Sequence, residues 1–85
     1  MFQKDKRTVY IHYYALLREE RGLPNETLTT EAKTVSQLYE QLRVEHKLSM
    51  SPEILKVSVN DSFQAWDTPL HDQDAVVFIP PVAGG

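Results

Sequence analysis

An α+β fold, with one long helix packed across one face of a mixed five-stranded sheet and a short helix after the first strand, is what this 85-residue sequence predicts. Three observations carry that expectation. Two β-branched and aromatic runs, residues 8–14 and 75–79, lie toward the two ends of the chain. A single well-capped amphipathic segment, residues 34–46, lies between them. The final run, residues 75–79, is apolar throughout and is halted by two prolines.

Taken in order, residues 1–7 are charged and without period, and read as a flexible N-terminal extension. Thr8 to Tyr14 reads as the first strand. Its alternation sets Val9, Ile11 and Tyr13 on one face and Tyr10, His12 and Tyr14 on the other. Ala15 to Arg21 is rich in strong helix formers and is stopped by Gly22 and Pro24, which predicts a helix of about two turns. Glu26 to Thr30 is a weaker, polar strand suited to a sheet edge. Thr34 and Gln37 stand at capping-box spacing. Val35, Leu38, Tyr39 and Leu42 then follow at helical spacing, giving a helix from about Val35 to His46.

Leu48 to Pro52 is a connection. Ile54 to Val59 alternates as a third strand, with Leu55, Val57 and Val59 on one face. Asn60-Asp61 is a turn dipeptide, after which Phe63 to Trp66 reads as a short fourth strand. Asp67 to Asp74 reads as a turn-rich loop. Ala75 to Ile79 is the most hydrophobic strand and is expected at the centre of the sheet, parallel to the first, with the long helix as the crossover. That arrangement is a ubiquitin-like β-grasp roll over residues 8–80, followed by an extended tail, residues 81–85.

Composition removes whole classes of function. With 9 basic and 12 acidic residues the chain is mildly acidic, unlike a phosphate-backbone binder, so no nucleic acid is expected. Cys is absent, which excludes disulfides, thiolate metal sites and thiol nucleophiles. No run approaches roughly 18 apolar residues, and the first residues lack the apolar segment of a signal peptide, so a cytoplasmic domain without membrane contact is expected. A domain this small must place nearly all its periodic apolar residues in one core. Little remains for an internal catalytic cleft, and the chain is expected to act through a surface or a terminus.

The tail is the least ordinary segment. Pro80 and Pro81 stiffen the exit from the last strand, and Pro81 to Gly85 can reach roughly 17 Å when extended. Gly84 and Gly85 carry no Cβ, so they fit a channel too narrow for other residues and leave the terminal carboxylate open on every side. An ionised carboxylate is a poor electrophile. Joined to the α-phosphate of ATP it becomes a mixed anhydride that a sulfur or amine nucleophile can open. The chain offers no phosphate-cradling loop and no nucleophilic Cys, so activation has to come from a partner.

Several runs together resemble a known family. They are Val59-Asn60, Pro69 to Asp74, and Val77-Phe78-Ile79-Pro80-Pro81-Val82-Ala83-Gly84-Gly85, with Tyr13-Tyr14-Ala15 leading into Arg18-Glu19 and Thr34-Val35 opening the long helix. The family is the small subunit of molybdopterin synthase, a MoaD-type β-grasp sulfur carrier, and the likeness covers Thr8 to Gly85. It implies that an adenylyltransferase related to ubiquitin-activating enzymes uses ATP to adenylate Gly85. A sulfur donor then converts that carboxyl to a thiocarboxylate. The tail enters the large subunit and gives sulfur to cyclic pyranopterin monophosphate, in a heterotetramer where two small subunits flank a dimer of large ones. Catalytic groups lie on the large subunit, so this chain is a protein cosubstrate with no bound cofactor or metal. Ala83 departs from the Thr or Ser common in the family, and the Phe2 to Arg7 extension exceeds that of many members.

Partner-binding residues implied for the tail are Pro80, Pro81, Val82, Ala83 and Gly84, with Gly85 as the reacting end. Ile79, Tyr14 and Phe63 fall on the sheet face opposite the helix and are expected to form an apolar docking patch. Trp66 is expected to pack under the loop that follows it. His71 to Asp74 reads as a solvated turn rather than a metal site, for want of a second His. Two alternatives stay open: a ubiquitin-like modifier or sulfur carrier serving thiamine or tRNA thiolation, and a β-grasp interaction module whose tail is inert.

Overall fold

A computed structural model of the chain describes residues 5–81. Its elements are β1 (Arg7–Tyr13), α1 (Ala15–Arg21), β2 (Asn25–Thr30), α2 (Val35–His46), β3 (Lys56–Val59), β4 (Ser62–Gln64) and β5 (Ala75–Ile79), with a 3₁₀ turn at Pro52–Ile54 before β3. The strands form one mixed sheet in the order β2-β1-β5-β3-β4. β1 and β5 pair in parallel, from Tyr10 opposite Ala75 to Tyr13 opposite Phe78. The pairs β1–β2, β3–β5 and β3–β4 are antiparallel. The last strand is therefore central and β2 is an edge, as the hydrophobic patterning predicts.

Alternation decides which face is buried. Val9, Ile11 and Tyr13 of β1, Val76 and Phe78 of β5, and Val57 and Val59 of β3 meet Val35, Leu38, Tyr39 and Leu42 of α2 in a single core. Leu17 of α1 closes one end of it. Phe78 lies at the middle, with ring centroids 5.0 Å from Tyr39, 6.4 Å from Tyr13 and 6.1 Å from Trp66, the last pair stacked within 8°. Trp66 thus packs against the core itself rather than only beneath a loop.

Local chemistry fixes the ends of the elements. The Thr34 hydroxyl accepts from the Gln37 N–H at 3.1 Å, as the capping-box spacing predicts. The Gln37 carboxamide reaches one residue further back than the motif requires, accepting from the Lys33 N–H at 2.8 Å. Gly22 ends α1 at φ 89° and donates its N–H to the Arg18 carbonyl. Several expected boundaries move. β1 ends at Tyr13, leaving Tyr14 as the N-cap of α1, and β2 takes in Asn25. Arg7 belongs to β1 and not to the N-terminal extension, because its guanidinium donates to the Ala32 carbonyl and pairs with Asp5 at 2.7 Å. Ile54 leaves the third strand for the 3₁₀ turn, which Ser51 caps by accepting from the Glu53 N–H, and Leu55 caps its other end, so β3 starts at Lys56. β4 ends at Gln64, short of Trp66.

Two polar clusters hold the sheet in register. At the end of β1 nearest α1, Arg21 grips Glu26 with two hydrogen bonds of 2.8 Å, and the Tyr13 hydroxyl donates to the same carboxylate at 2.6 Å. The Arg21 guanidinium holds the Glu26 carboxyl below its ordinary range, while burial and then Glu26 push the Tyr13 phenol upward, keeping it protonated. At the opposite pole Asp74 is buried, accepting from the Asn60 carboxamide at 2.9 Å and the His71 N–H at 2.8 Å. Asn60 and Asp61, at φ 52° and 71°, make the tight turn between β3 and β4, and Asn60 also exchanges backbone and side-chain bonds with Ala75. The expected solvated turn at His71 to Asp74 is corrected here: one of its carboxylates is an interior hub.

Glu26→Gln is expected to cost about 1–2 kcal/mol in urea unfolding at neutral pH. A carboxyl held low in the folded state stabilises wherever it is ionised. That contribution disappears as the pH falls below the ordinary carboxylate range and through the lowered folded value, so the gap between variant and parent closes on acidification. Asp74→Ala leaves the Asn60 Nδ2 and the His71 N–H without their acceptor, and a loss of about 2–3 kcal/mol is expected in the same assay.

Candidate functional site

The strand pleat that buries one face of the sheet leaves the other face open. β1 turns Tyr10 and His12 to that side, β5 turns Val77 and Ile79, β3 turns Lys56 and Ser58, and β4 turns Phe63. Val77 sits at the centre, opposite His12 on one side and Ser58 on the other. Tyr14, the N-cap of α1, continues the β1 pattern. Its ring centroid is 5.8 Å from that of His12. Tyr14 is 48% exposed and Phe63 71% exposed, values that leave large apolar surface facing outward.

The three residues read from the sequence as a patch lie on this one face but do not adjoin as a continuous apolar strip. Tyr14 and Ile79 stand at the same end of the parallel pair β1–β5. Phe63 is two strands away from Ile79, opposite Ser58. Lys56, paired with Ile79 across β3–β5, stands between them. Sequence reasoning passed over Lys56, although the alternation of Lys56 and Ser58 against Val57 and Val59 already placed it on the open side. Ile54, removed from β3 by the 3₁₀ turn, is 52% exposed beside it.

Two shallow grooves meet at Lys56. One, of about 200 Å³, is lined by Ile54, Lys56, Ile79, Pro80 and Pro81, at the point where the chain leaves β5. The other, of about 440 Å³, runs past Lys56, Val57, Phe63 and Trp66 along the part of β3 that β4 is too short to pair. β5 ends at Ile79, and beyond it Pro80 is half-buried and Pro81 exposed. The remaining site residues read from the sequence, Val82, Ala83, Gly84 and Gly85, lie outside the described residues.

Side chains suited to acid–base or metal chemistry are otherwise engaged or scattered. Glu26 is taken up by Arg21 and Tyr13, and Asp74 by Asn60 and the His71 amide. Among the described residues no group of three or more His, Cys, Asp or Glu is placed to hold a metal ion, and no helix is long and apolar enough to cross a membrane. What the geometry offers is an open sheet face with exposed aromatic rings and a central strand, β5, that ends beside it at Ile79.

Comparison with known proteins agrees with this anatomy. A curated relative, the molybdopterin synthase sulfur carrier subunit of Escherichia coli, is 29% identical over 80 residues, spanning 91% of this chain and 99% of that one. Among solved structures, SAMP1 of Haloferax volcanii superposes with a TM-score of 0.77 at 20% identity, covering 92% of this chain and 99% of its own. The protein–protein complex of subunits 1 and 2 of molybdopterin-converting factor from Helicobacter pylori gives a TM-score of 0.62 at 24% identity, with coverage of 92% and 99%. At those identities the two structures share the fold. The model of the ThiS family matches residues 11–85, nearly the whole sheet and helix framework together with the terminal Gly-Gly, and the chain belongs to that family.

Proposed function

We propose that this chain is a sulfur carrier of molybdenum cofactor biosynthesis, acting as the small subunit of a molybdopterin synthase. The carboxylate of Gly85 attacks the α-phosphate of ATP on a ubiquitin-activating-type adenylyltransferase, releasing pyrophosphate and leaving an acyl adenylate. A sulfide equivalent from a sulfur donor displaces AMP and leaves a thiocarboxylate. In the large subunit that thiocarboxylate gives its sulfur to cyclic pyranopterin monophosphate, and the carboxylate is regenerated for another round. None of these steps asks for a catalytic side chain on this domain. It supplies reach, an unhindered acyl group and recognition area, which raise the effective concentration of one sulfur atom at its acceptor.

The observation that carries this reading is that the family match runs through Gly85, taking in the Pro-Pro-Val-Ala-Gly-Gly segment that follows the central strand. The Escherichia coli relative, named as a molybdopterin synthase sulfur carrier subunit, supports the pathway. The Helicobacter pylori complex, which joins two subunits of molybdopterin-converting factor, supports a large-subunit partner. The open sheet face, with Tyr14, Ile79 and Phe63, is the surface we assign to that partner.

Incubation with the cognate adenylyltransferase, ATP and sulfide is expected to raise the intact mass by the difference between one sulfur and one oxygen, localised to Gly85. An unchanged mass overturns the proposal. The charged chain is then expected to restore molybdoenzyme activity to a strain lacking its own small subunit; rescue of thiamine synthesis instead assigns the carrier to that pathway. Phe63→Ala removes an exposed ring, so folding stability should move by less than about 0.5 kcal/mol. Affinity for the large subunit, read by titration calorimetry, should fall about tenfold.

A further inference from the structure

The open face is unusual in its charge. The chain carries 12 acidic residues against 9 basic ones. Yet among the strand positions turned away from α2 not one is a carboxylate, and a single one, Lys56, carries a formal charge. The acids of the strands and of the loop before β5 are placed elsewhere. Glu26 points to the core side and bonds Tyr13, and Asp72 and Asp74 fasten the pole of the sheet remote from the tail. Lys56 is exposed and has no ion-pair partner among the described residues.

Position gives this ammonium its meaning. Lys56 is paired with Ile79, the last residue of β5, and borders both the groove at Pro80 and Pro81 and the groove at Phe63 and Trp66. A partner that receives the tail and covers Ile79 and Phe63 therefore also covers Lys56. An ammonium stripped of water with no counter-charge opposes association, whereas the same ammonium facing a carboxylate adds attraction and fixes register. We infer that the partner docked at the tail root presents a carboxylate to Lys56, set within an otherwise apolar surface, and that this contact selects partners carrying it. The inference rests on the docking proposed above. The shape of the face supplies area, and Lys56 supplies discrimination.

The test uses the full chain and the molybdopterin synthase large subunit encoded by the same organism, with affinity read by calorimetry at low and high salt. Lys56→Met is expected to weaken binding about tenfold and to flatten its salt dependence, Lys56→Arg to retain both, and Lys56→Glu to weaken binding about a hundredfold. Thermal melts of the variants, exposed as this position is, should match the parent. Binding by Lys56→Met as tight as the parent, with the same salt slope, overturns the inference and leaves the proposed function standing. Equal weakening by Met and Glu with an unaltered salt slope also overturns it, since that is loss of packing. Absence of binding by the unsubstituted chain overturns the docking and the inference together.

Discussion

Everything in this molecule hangs on the parallel pairing of its first strand with its last. β1 and β5 lie at opposite ends of the sequence, so closing them together carries the entropic cost of a long loop. α2 and the core it covers offset that cost by giving the crossover an apolar face to bury. The pairing is held at its start by residues just before β5: the Tyr10 N–H donates to the Asp74 carbonyl at 2.9 Å and the Gln73 N–H to the Thr8 carbonyl at 2.6 Å. Asp72 adds a bond to the Thr8 N–H. With that end fixed, the five residues of β5 can leave the sheet at only one place. The pole remote from the tail thus determines where the tail departs.

Much of this was legible in residue order. The cap at Thr34, the apolar stripe of α2 and the uninterrupted apolarity of β5 are local signals that agree with the global fold, and their limits came out as read. The polar β2 declared itself an edge in the same way. What stayed hidden depends on contacts across the chain. Nothing in the order Asp72-Gln73-Asp74 says which carboxylate is interior; Asp74 is buried because Asn60, brought back by the β3–β4 turn, meets it. Ser51-Pro52-Glu53 is a readable helical start, but the apolar Ile54 after it matched a strand pattern equally well. Trp66 reads as the end of the fourth strand, under the loop that follows; it stands instead in the turn after β4, its ring stacked on that of Phe78.

The site was legible in a different measure. The Pro80 to Gly85 run is recognisable in the sequence alone, because two prolines followed by paired glycines need no fold to be read. The surface around its root does not follow so directly. Alternation correctly sent Tyr14, Ile79 and Phe63 to the open side, since a strand has only two sides to offer. It could not show that Lys56 interrupts them, because which residues neighbour one another across strands is fixed by register and sheet order.

The division of labour between the two faces follows from size. In a chain of 85 residues one long helix, α2, covers the five-stranded sheet, and it covers one side. The uncovered side exposes aromatic rings that a larger protein would bury under a second layer. Filling it with charge would keep the free chain well solvated but would oppose every partner it must meet. Here the face instead keeps tyrosines, whose hydroxyls tolerate water, together with serine and threonine, and one lysine. Such a surface is stable when free and apolar enough to be covered. For the sulfur carrier proposed above, which is bound, charged, released and bound again, that balance would matter more than tight binding to any one partner, and it would place the burden of selectivity on the few polar positions the face retains.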